Sequence, residues 1–321
     1  MKAVVTGAAS FIGSNLTDGL LRAGHAVIGV DNLSTGQLEF LSEARQSCRF
    51  QFVKADLFES DALDEVLPGA DIVFHLAANA DVRFGPQYPD RDLKQNTIVT
   101  ARVLESMRRQ GVSRIAFAST GSVYGQHHVI PTPEEAPFPV QTSLYAASKL
   151  AAEGIITAYA EAFGITAFIF RFVSILGERY THGHVFDFYR QLRQNPETLR
   201  VLGDGTQRKS YLLVEDCVSA IQLAIEKSPE LVNIYNLGTD EYCQVNDSID
   251  WISERLGVSP RLSYSGGKNG WIGDNPFIFL SCNRIRKLGW TPKYTIREGI
   301  GRTLDYLVAN PWVLERTQTD G

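Results

Sequence analysis

The stretch that decides the fold is Lys2-Ala3-Val4-Val5-Thr6-Gly7-Ala8-Ala9-Ser10-Phe11-Ile12-Gly13. Residues 2–6 include the β-branched Val4, Val5 and Thr6 and read as a short strand that stops at Gly7. Phe11, Ile12, Leu16, Leu20 and Leu21 then recur at helical spacing, which predicts a helix over 11–23. The pattern repeats outward from there. Strands are predicted over 25–30, 51–54, 72–76, 114–119 and 166–172, with helices over 92–109 and 143–163 among them. Strand and helix alternating across short connections predict an α/β fold, a doubly wound parallel sheet wrapped by helices.

The glycines of the opening stretch add chemistry to that topology. Gly7 permits a tight turn, and Gly13 lets the helix approach the strand closely. Free backbone N–H groups at the helix start then face a pyrophosphate. Ser10 holds the middle position of a GxxGxxG pattern, where its hydroxyl can cap the helix. Asp31 ends the second strand, where a carboxylate accepts both ribose hydroxyls of an adenosine and repels the extra phosphate of NADP. The expected cofactor is NAD, on a Rossmann-type sheet. Asp56 is the candidate partner of the adenine amino group, and Leu76-Ala77-Ala78 supplies small residues where the cofactor passes. Phe11, Ile12, Asn32 and Leu57 complete the candidate cofactor-binding set.

A second constellation carries reactivity. Tyr145 and Lys149 stand at i and i+4 of the helix predicted over 143–163, so phenol and ammonium share one face. A free tyrosine, with a pKa of about 10, is a poor base at neutral pH. A neighbouring ammonium is expected to lower that value. Thr120 ends the fifth strand, at the edge where open α/β sheets hold their ligands, and its hydroxyl can share a proton at a substrate alcohol. Thr120, Tyr145 and Lys149 are the candidate catalytic residues, and Tyr145 and Lys149 also belong to the cofactor set.

The regular alternation fails after residue 172. Helices are predicted over 185–193, 214–226, 245–256 and 296–308, with a strand over 233–237. Loops are expected at 177–183 and 266–275, and a turn at Gly203-Asp204-Gly205. The expected division is an NAD-binding domain over 1–172 plus about 212–240, and a smaller, partly interwoven α/β substrate lobe over about 173–211 plus 241–321.

Composition narrows the classes further. Lys and Arg total 31 against 36 Asp and Glu, a net charge of −5, which argues against a nucleic-acid-binding surface. Hydrophobic residues at 44 % and charged residues at 21 % suit a globular chain with a real core. The strongest apolar run, 167–176, is interrupted by Arg171 and falls short of a membrane span. Cys48, Cys217, Cys243 and Cys282 lie far apart with no CxxC pair, and the first strand leaves no room for a signal peptide. A cytoplasmic, reduced setting is expected, without a membrane partner. His127-His128 and His182-Gly183-His184 lack carboxylate or cysteine partners at metal spacing, so no metal is expected.

With these residues in view, the chain resembles the extended short-chain dehydrogenase/reductase superfamily, in its NAD-dependent nucleotide-sugar epimerase/dehydratase branch. The phosphate loop, Asp31, Asp56, His75-Leu76-Ala77-Ala78, Thr120 with Val123-Tyr124-Gly125, Tyr145 with Lys149, Gly203-Asp204-Gly205 and Leu288-Gly289-Trp290 fall in family order. The resemblance covers nearly the whole length. It implies that Asn96 helps to hold the fifth strand and cofactor site, and that Phe172 lines the nicotinamide pocket.

Departures from the family pattern gather on the substrate side. Ser174 replaces the usual Asn, and Lys209, followed by Ser210, replaces an arginine that grips the substrate diphosphate. Trp271 stands where a second such arginine precedes Gly273-Asp274. Lysine brings charge without the bidentate fork of arginine, so the grip is expected to be rebuilt with Arg179, Lys268 or His182. Ile278 matches a bulky tyrosine that walls off the carbon-2 substituent of the sugar, which implies a roomier pocket; its plain alternative is a core residue of the small lobe.

The residues beside Thr120 bear on the reaction. Gly121-Ser122 occupy the place of the Asp-Glu pair that the resemblance assigns to 4,6-dehydratases, and Ser122 replaces a decarboxylase glutamate, leaving Ser122 as a substrate contact. No acid or base for epimerisation at carbons 3 and 5 stands there either. The remaining chemistry is hydride removal at carbon 4 and its return to the opposite face through a 4-keto intermediate. The resemblance thus implies a 4-epimerase of a nucleoside-diphosphate sugar, of the UDP-glucose or UDP-hexose type. A 4-ketoreductase or dehydratase of the same branch, or a non-catalytic NAD-binding protein on this fold, stays open at this point. Helices 92–109 and 143–163 resemble a pair that joins relatives into homodimers.

Overall fold

The computed structural model describes residues 1–79, 85, 87–138, 140–267 and 277–316. Strands β1 (Lys2–Thr6), β2 (Ala26–Asp31), β3 (Phe50–Lys54), β4 (Ile72–His75), β5 (Arg114–Thr120) and β6 (Thr166–Phe172) form a parallel sheet in the order β3-β2-β1-β4-β5-β6. Beyond β6 come the short β7 (Ser174–Leu176), β8 (Thr198–Val201), β9 (Arg208–Lys209) and β10 (Tyr211–Leu213). They precede β11 (Val232–Leu237), which returns to pair in parallel with β6 as the seventh strand of the main sheet among the described residues. The order reverses between β1 and β4, which opens the crevice where doubly wound sheets bind nucleotides.

Helix α1 (Phe11–Arg22) follows β1, and two single turns, α2 (Leu63–Val66) and α3 (Pro89–Asp92), flank β4. Helices α4 (Val99–Gln110) and α5 (Leu144–Phe163) then flank β5. Because side chains alternate along a strand, each face of the sheet builds its own core. Val5, Phe168 and Phe170 pack with Leu16 and Leu20 of α1 on one face. Val4, Ile115 and Ile169 pack with Leu104 of α4 and Ile156 of α5 on the other.

The helix expected over 92–109 forms, running from Pro89 to Gln110 as α3 and α4 joined by a wide π-helical turn, Leu93–Ile98. Asn96 lies in that turn, buried and hydrogen-bonded to Asn79 and Ser148.

The C-terminal part is assembled from α6 (His184–Gln194), α7 (Val214–Lys227), α8 (Val245–Leu256), α9 (Asn283–Lys287) and α10 (Ile296–Ala309) with two-stranded ribbons. β7 pairs with β10, β9 with β12 (Cys243–Gln244), and β8 with β13 (Arg261–Tyr264). These ribbons lie outside the sequence-based expectation because strands of two to four residues are too short to show alternation. Helices α8 and α10 start with reciprocal capping boxes, Gln244 with Asp247 and Thr295 with Glu298.

Candidate active site

The phosphate loop is built by close backbone approach. Gly7 has φ +69°, and a Cβ there would lie 2.7 Å from the Ala77 nitrogen. A Cβ on Gly13 would lie 2.0 Å from the Gly7 carbonyl oxygen, so only glycine lets α1 start this near β1. Ser10 caps α1: its hydroxyl donates to the Gly7 carbonyl at 2.7 Å and accepts from the Gly13 N–H at 3.2 Å. Asp31 ends β2 almost fully buried, with its carboxylate accepting from the backbone N–H groups of Ala9 (2.9 Å) and Leu33 (2.8 Å). Burial nevertheless pushes its pKa above the usual carboxylate value.

A groove runs across this end of the sheet, lined by Gly7, Ser10, Asp31, Asn32, Leu57 and Leu76-Ala77-Ala78. Ser34, Thr35, Ala55 and Gln95 line it too, and sequence reasoning passed over them. The small polar run after Asp31 was the available signal for the first two. Asp56 borders the same region, but its carboxylate accepts from Asn32 Nδ2 (2.8 Å) and the Phe58 N–H (2.8 Å). Phe11 turns its ring inward against Tyr180, at 5.5 Å between centroids, and reaches the loop through its backbone. A glycine-walled turn at a helix start, with a carboxylate at the neighbouring strand end, fits a dinucleotide.

Thr120 ends β5 and caps the short turn Gly121–Tyr124, accepting from the Ser122 N–H at 3.1 Å. Its side chain is near enough to the Tyr145 phenol to favour the phenolate. Tyr145 stands in the first turn of α5, which Ser143 caps through the Ala146 N–H at 3.1 Å. The expected lowering of the phenol by Lys149 does not govern here. Burial pushes Tyr145 up to about 12, with the Thr120 hydrogen bond pulling the other way and the Asp92 charge adding to the rise. Lys149 instead donates to the Ala118 carbonyl at 2.9 Å and lies 4.7 Å above the Phe117 ring. Burial brings it down to about 8.

Behind the groove runs a directed chain of hydrogen bonds. The Ala77 N–H donates to Thr6 Oγ1 (3.2 Å), and the Thr6 hydroxyl donates onward to His75 Nδ1 (2.8 Å), the acceptor nitrogen of a neutral ring that carries its proton on Nε2. His75 Nε2–H then donates to Thr100 Oγ1 (3.0 Å), whose hydroxyl donates to the Asn96 carbonyl (2.5 Å). This chain requires neutral His75, and burial holds its pKa at about 3. None of the hydrogen bonds of Asn96 goes to β5, the strand that the resemblance implied it helps to hold. Its amide oxygen accepts from the Asn79 N–H (2.8 Å) and its nitrogen donates to Ser148 Oγ (2.9 Å), tying the loop after β4 to α5.

The substrate-side candidates scatter more. Ile278 rests on Gly121, since a Cβ there would meet Ile278 Cγ2 at 2.7 Å, and this puts it beside Thr120. Phe172 ends β6 beside Thr120 in register, and Ser174 opens β7 with its side chain exposed. Lys209 stands half-buried on β9, and its charge helps burial to hold His184 at about 3. The His184 ring stacks on Tyr211 at 4.8 Å, a contact that sequence reasoning missed. Arg179 goes elsewhere: its guanidinium lies 2.6 Å from Asp18 on α1 and lines a cleft with Glu178, Tyr306 and Trp312. Its pairing with a buried carboxylate removes it from the diphosphate grip expected of it. His182 is exposed, with its ring stacked on Tyr180. Trp271, Lys268 and Gly273-Asp274 lie outside the described residues.

Residues 3–238 match the model of the NAD dependent epimerase/dehydratase family. The chain is 32 % identical over 314 residues to a UDP-glucose 4-epimerase of Mycolicibacterium smegmatis, covering 95 % of this chain and 98 % of that one. It is similar to the crystal structure of a UDP-galactose 4-epimerase, with TM-score 0.86 and 36 % identity over 97 % of this chain and 100 % of the other. It is also similar to a UDP-glucuronic acid 4-epimerase from Bacillus cereus in complex with UDP-glucuronic acid and NAD. There the TM-score is 0.87 at 26 % identity, over 96 % and 99 % of the two chains.

Proposed function

Because the chain belongs to the NAD-dependent epimerase/dehydratase family, we propose that it is an isomerase, the NAD-dependent 4-epimerase of a UDP-hexose such as UDP-glucose. One observation carries the choice of reaction. Gly121-Ser122, in the turn that Thr120 caps, offer no carboxyl group for a dehydration. When bound, NAD supplies at its nicotinamide ring a place to which a hydride leaves carbon 4 and from which it returns.

The protein's own part is to bind, orient and move one proton. Gly7, Ser10, Gly13 and the N–H groups at the start of α1 hold the pyrophosphate, and Asp31 takes the adenosine ribose hydroxyls. Tyr145 is the acid/base group at the sugar's 4-hydroxyl: in its ionised form it would take that proton and then give it back, with Thr120 beside the same oxygen. Lys149 stays on the catalytic face of α5, one turn from Tyr145. Lys209, Ser122, Ser174 and Ile278 face the nucleoside diphosphate and the sugar. The NAD-binding domain, 1–172 plus about 212–240, is supported by the return of β11 to β6, and the rest forms the substrate lobe.

A homodimer through α4 and α5 belongs to the same reading. Ile98 beside α4 and Leu144 and Phe163 on α5 expose large apolar side chains that a second copy would cover. Light scattering tests it. A cytoplasmic setting is likewise proposed, and cell fractionation tests it; among the described residues no helix is long and apolar enough to cross a membrane. The decisive experiment is incubation with UDP-glucose and catalytic NAD, followed by NMR. Appearance of UDP-galactose without consumption of cofactor is expected. Failure of UDP-glucose, UDP-glucuronic acid and their N-acetyl analogues alike to epimerise overturns the reading.

A further inference from the structure

Tyr145, Lys149 and Glu153 occupy three successive turns of α5, at i, i+4 and i+8, on the face turned to the sheet. Glu153 is buried, and its carboxylate accepts from the Ser119 hydroxyl on β5 and from Arg171 on β6. Arg171 Nη2 donates at 2.6 Å and Nε at 3.1–3.2 Å, so the contact engages both carboxylate oxygens. Ser119 and Arg171 are themselves paired in register across β5 and β6, and each immediately precedes a site residue, Thr120 or Phe172. Arg171 is held in turn: its Nη1 donates to the Tyr124 hydroxyl (2.6 Å) and the Glu134 carbonyl (3.2 Å), and its guanidinium lies 4.9 Å above the Tyr124 ring.

A buried ion pair is poor evidence for stability, since apolar residues of similar volume often serve as well. Its position on the reactive face needs another account. We propose that Glu153 is a positioning residue of the epimerase site: it locks the Lys149 face of α5 to the ends of β5 and β6 and supplies the negative charge that faces the Lys149 ammonium from within the helix. The inference rests on the reading of Lys149 as part of that site. Among the described residues, Asp92 of α3 also favours the Lys149 ammonium, Tyr145 lies one turn away on α5, and His75 of β4, which burial keeps neutral, is near enough to feel its charge. Burial draws the Lys149 ammonium down to about 8, and Glu153, ahead of Asp92, opposes that fall. Loss of the Glu153 charge therefore releases the Lys149 proton at lower pH.

The test uses full-length protein with ¹³C-labelled lysine, in which the Lys149 titration is read by NMR without substrate, alongside kcat and KM across pH. In Glu153→Gln the Lys149 titration and the alkaline limb of kcat move to lower pH by about one unit. Turnover falls roughly tenfold or more with KM little changed. The double variant Glu153→Leu/Arg171→Met keeps the seam packed without either charge. It regains thermal stability while the titration stays displaced and turnover stays low. If Glu153→Gln does not fold, the double variant decides alone. An unmoved Lys149 titration, or wild-type turnover in the double variant, overturns the proposal. Absence of turnover in the unaltered protein with an intact Lys149 response strikes the proposed function instead.

Discussion

In the main sheet the candidate site residues stand at the ends of strands bonded on both sides: Asp31 on β2, His75 on β4, Thr120 on β5 and Phe172 on β6. In the C-terminal part they stand on fragments. Lys209 belongs to a strand of two residues and Ser174 to one of three, each in a two-stranded ribbon. A residue inside a parallel ladder is held by neighbours on either side before its side chain makes any contact. A residue on a short ribbon takes its place from whatever packs over it. The first arrangement suits chemistry that must place a proton to a fraction of an ångström, and the second suits a pocket that can change its sugar. The two regions should respond differently to substitution.

The largest effect is expected at Tyr145, on the helix α5 that packs against the main sheet. Tyr145→Phe removes the acid/base group and should lower epimerisation about 10²–10⁴-fold while NAD binding persists. NMR of the sugar nucleotides measures the first and calorimetry the second. Next is Asp31→Ser. A 2′-phosphate beside the buried Asp31 carboxylate meets like charge, which costs several kcal/mol, so the unaltered protein should bind NAD far ahead of NADP. The serine variant should close most of that gap in a titration of both cofactors.

Lys209→Ala probes the other region. Loss of a charge-assisted contact of about 1.5–3 kcal/mol should raise the Kd for the sugar nucleotide roughly 10–100-fold with kcat little changed. A fall in kcat alone would break the division of labour drawn above. The smallest effect is expected at Ile278, which already touches Gly121. Overfilling that wall with Ile278→Tyr costs about 1–3 kcal/mol and should penalise an N-acetylhexose more than a plain hexose. Equal slowing of both substrates would make Ile278 a support of the fold.

The sequence by itself determined what is local. A β-branched run, a glycine turn and a helix-spaced apolar stripe place β1, the phosphate loop and α1, because each depends on residues only a few positions apart. Ser10 as the cap of α1 and the shared face of Tyr145 and Lys149 follow from the same short range. Partners chosen across the fold were decided only by tertiary structure. Arg179 faces Asp18 and not a diphosphate, Ile278 settles on Gly121, and Asn96 joins Asn79 to Ser148. Glu153 was readable as one more turn of the Tyr145–Lys149 face, yet its bond to Arg171 required β5 and β6 to pair in their observed register. The same holds for the Tyr145 phenol: spacing puts an ammonium one turn away, but burial among the elements closed over the site is what pushes the phenol up.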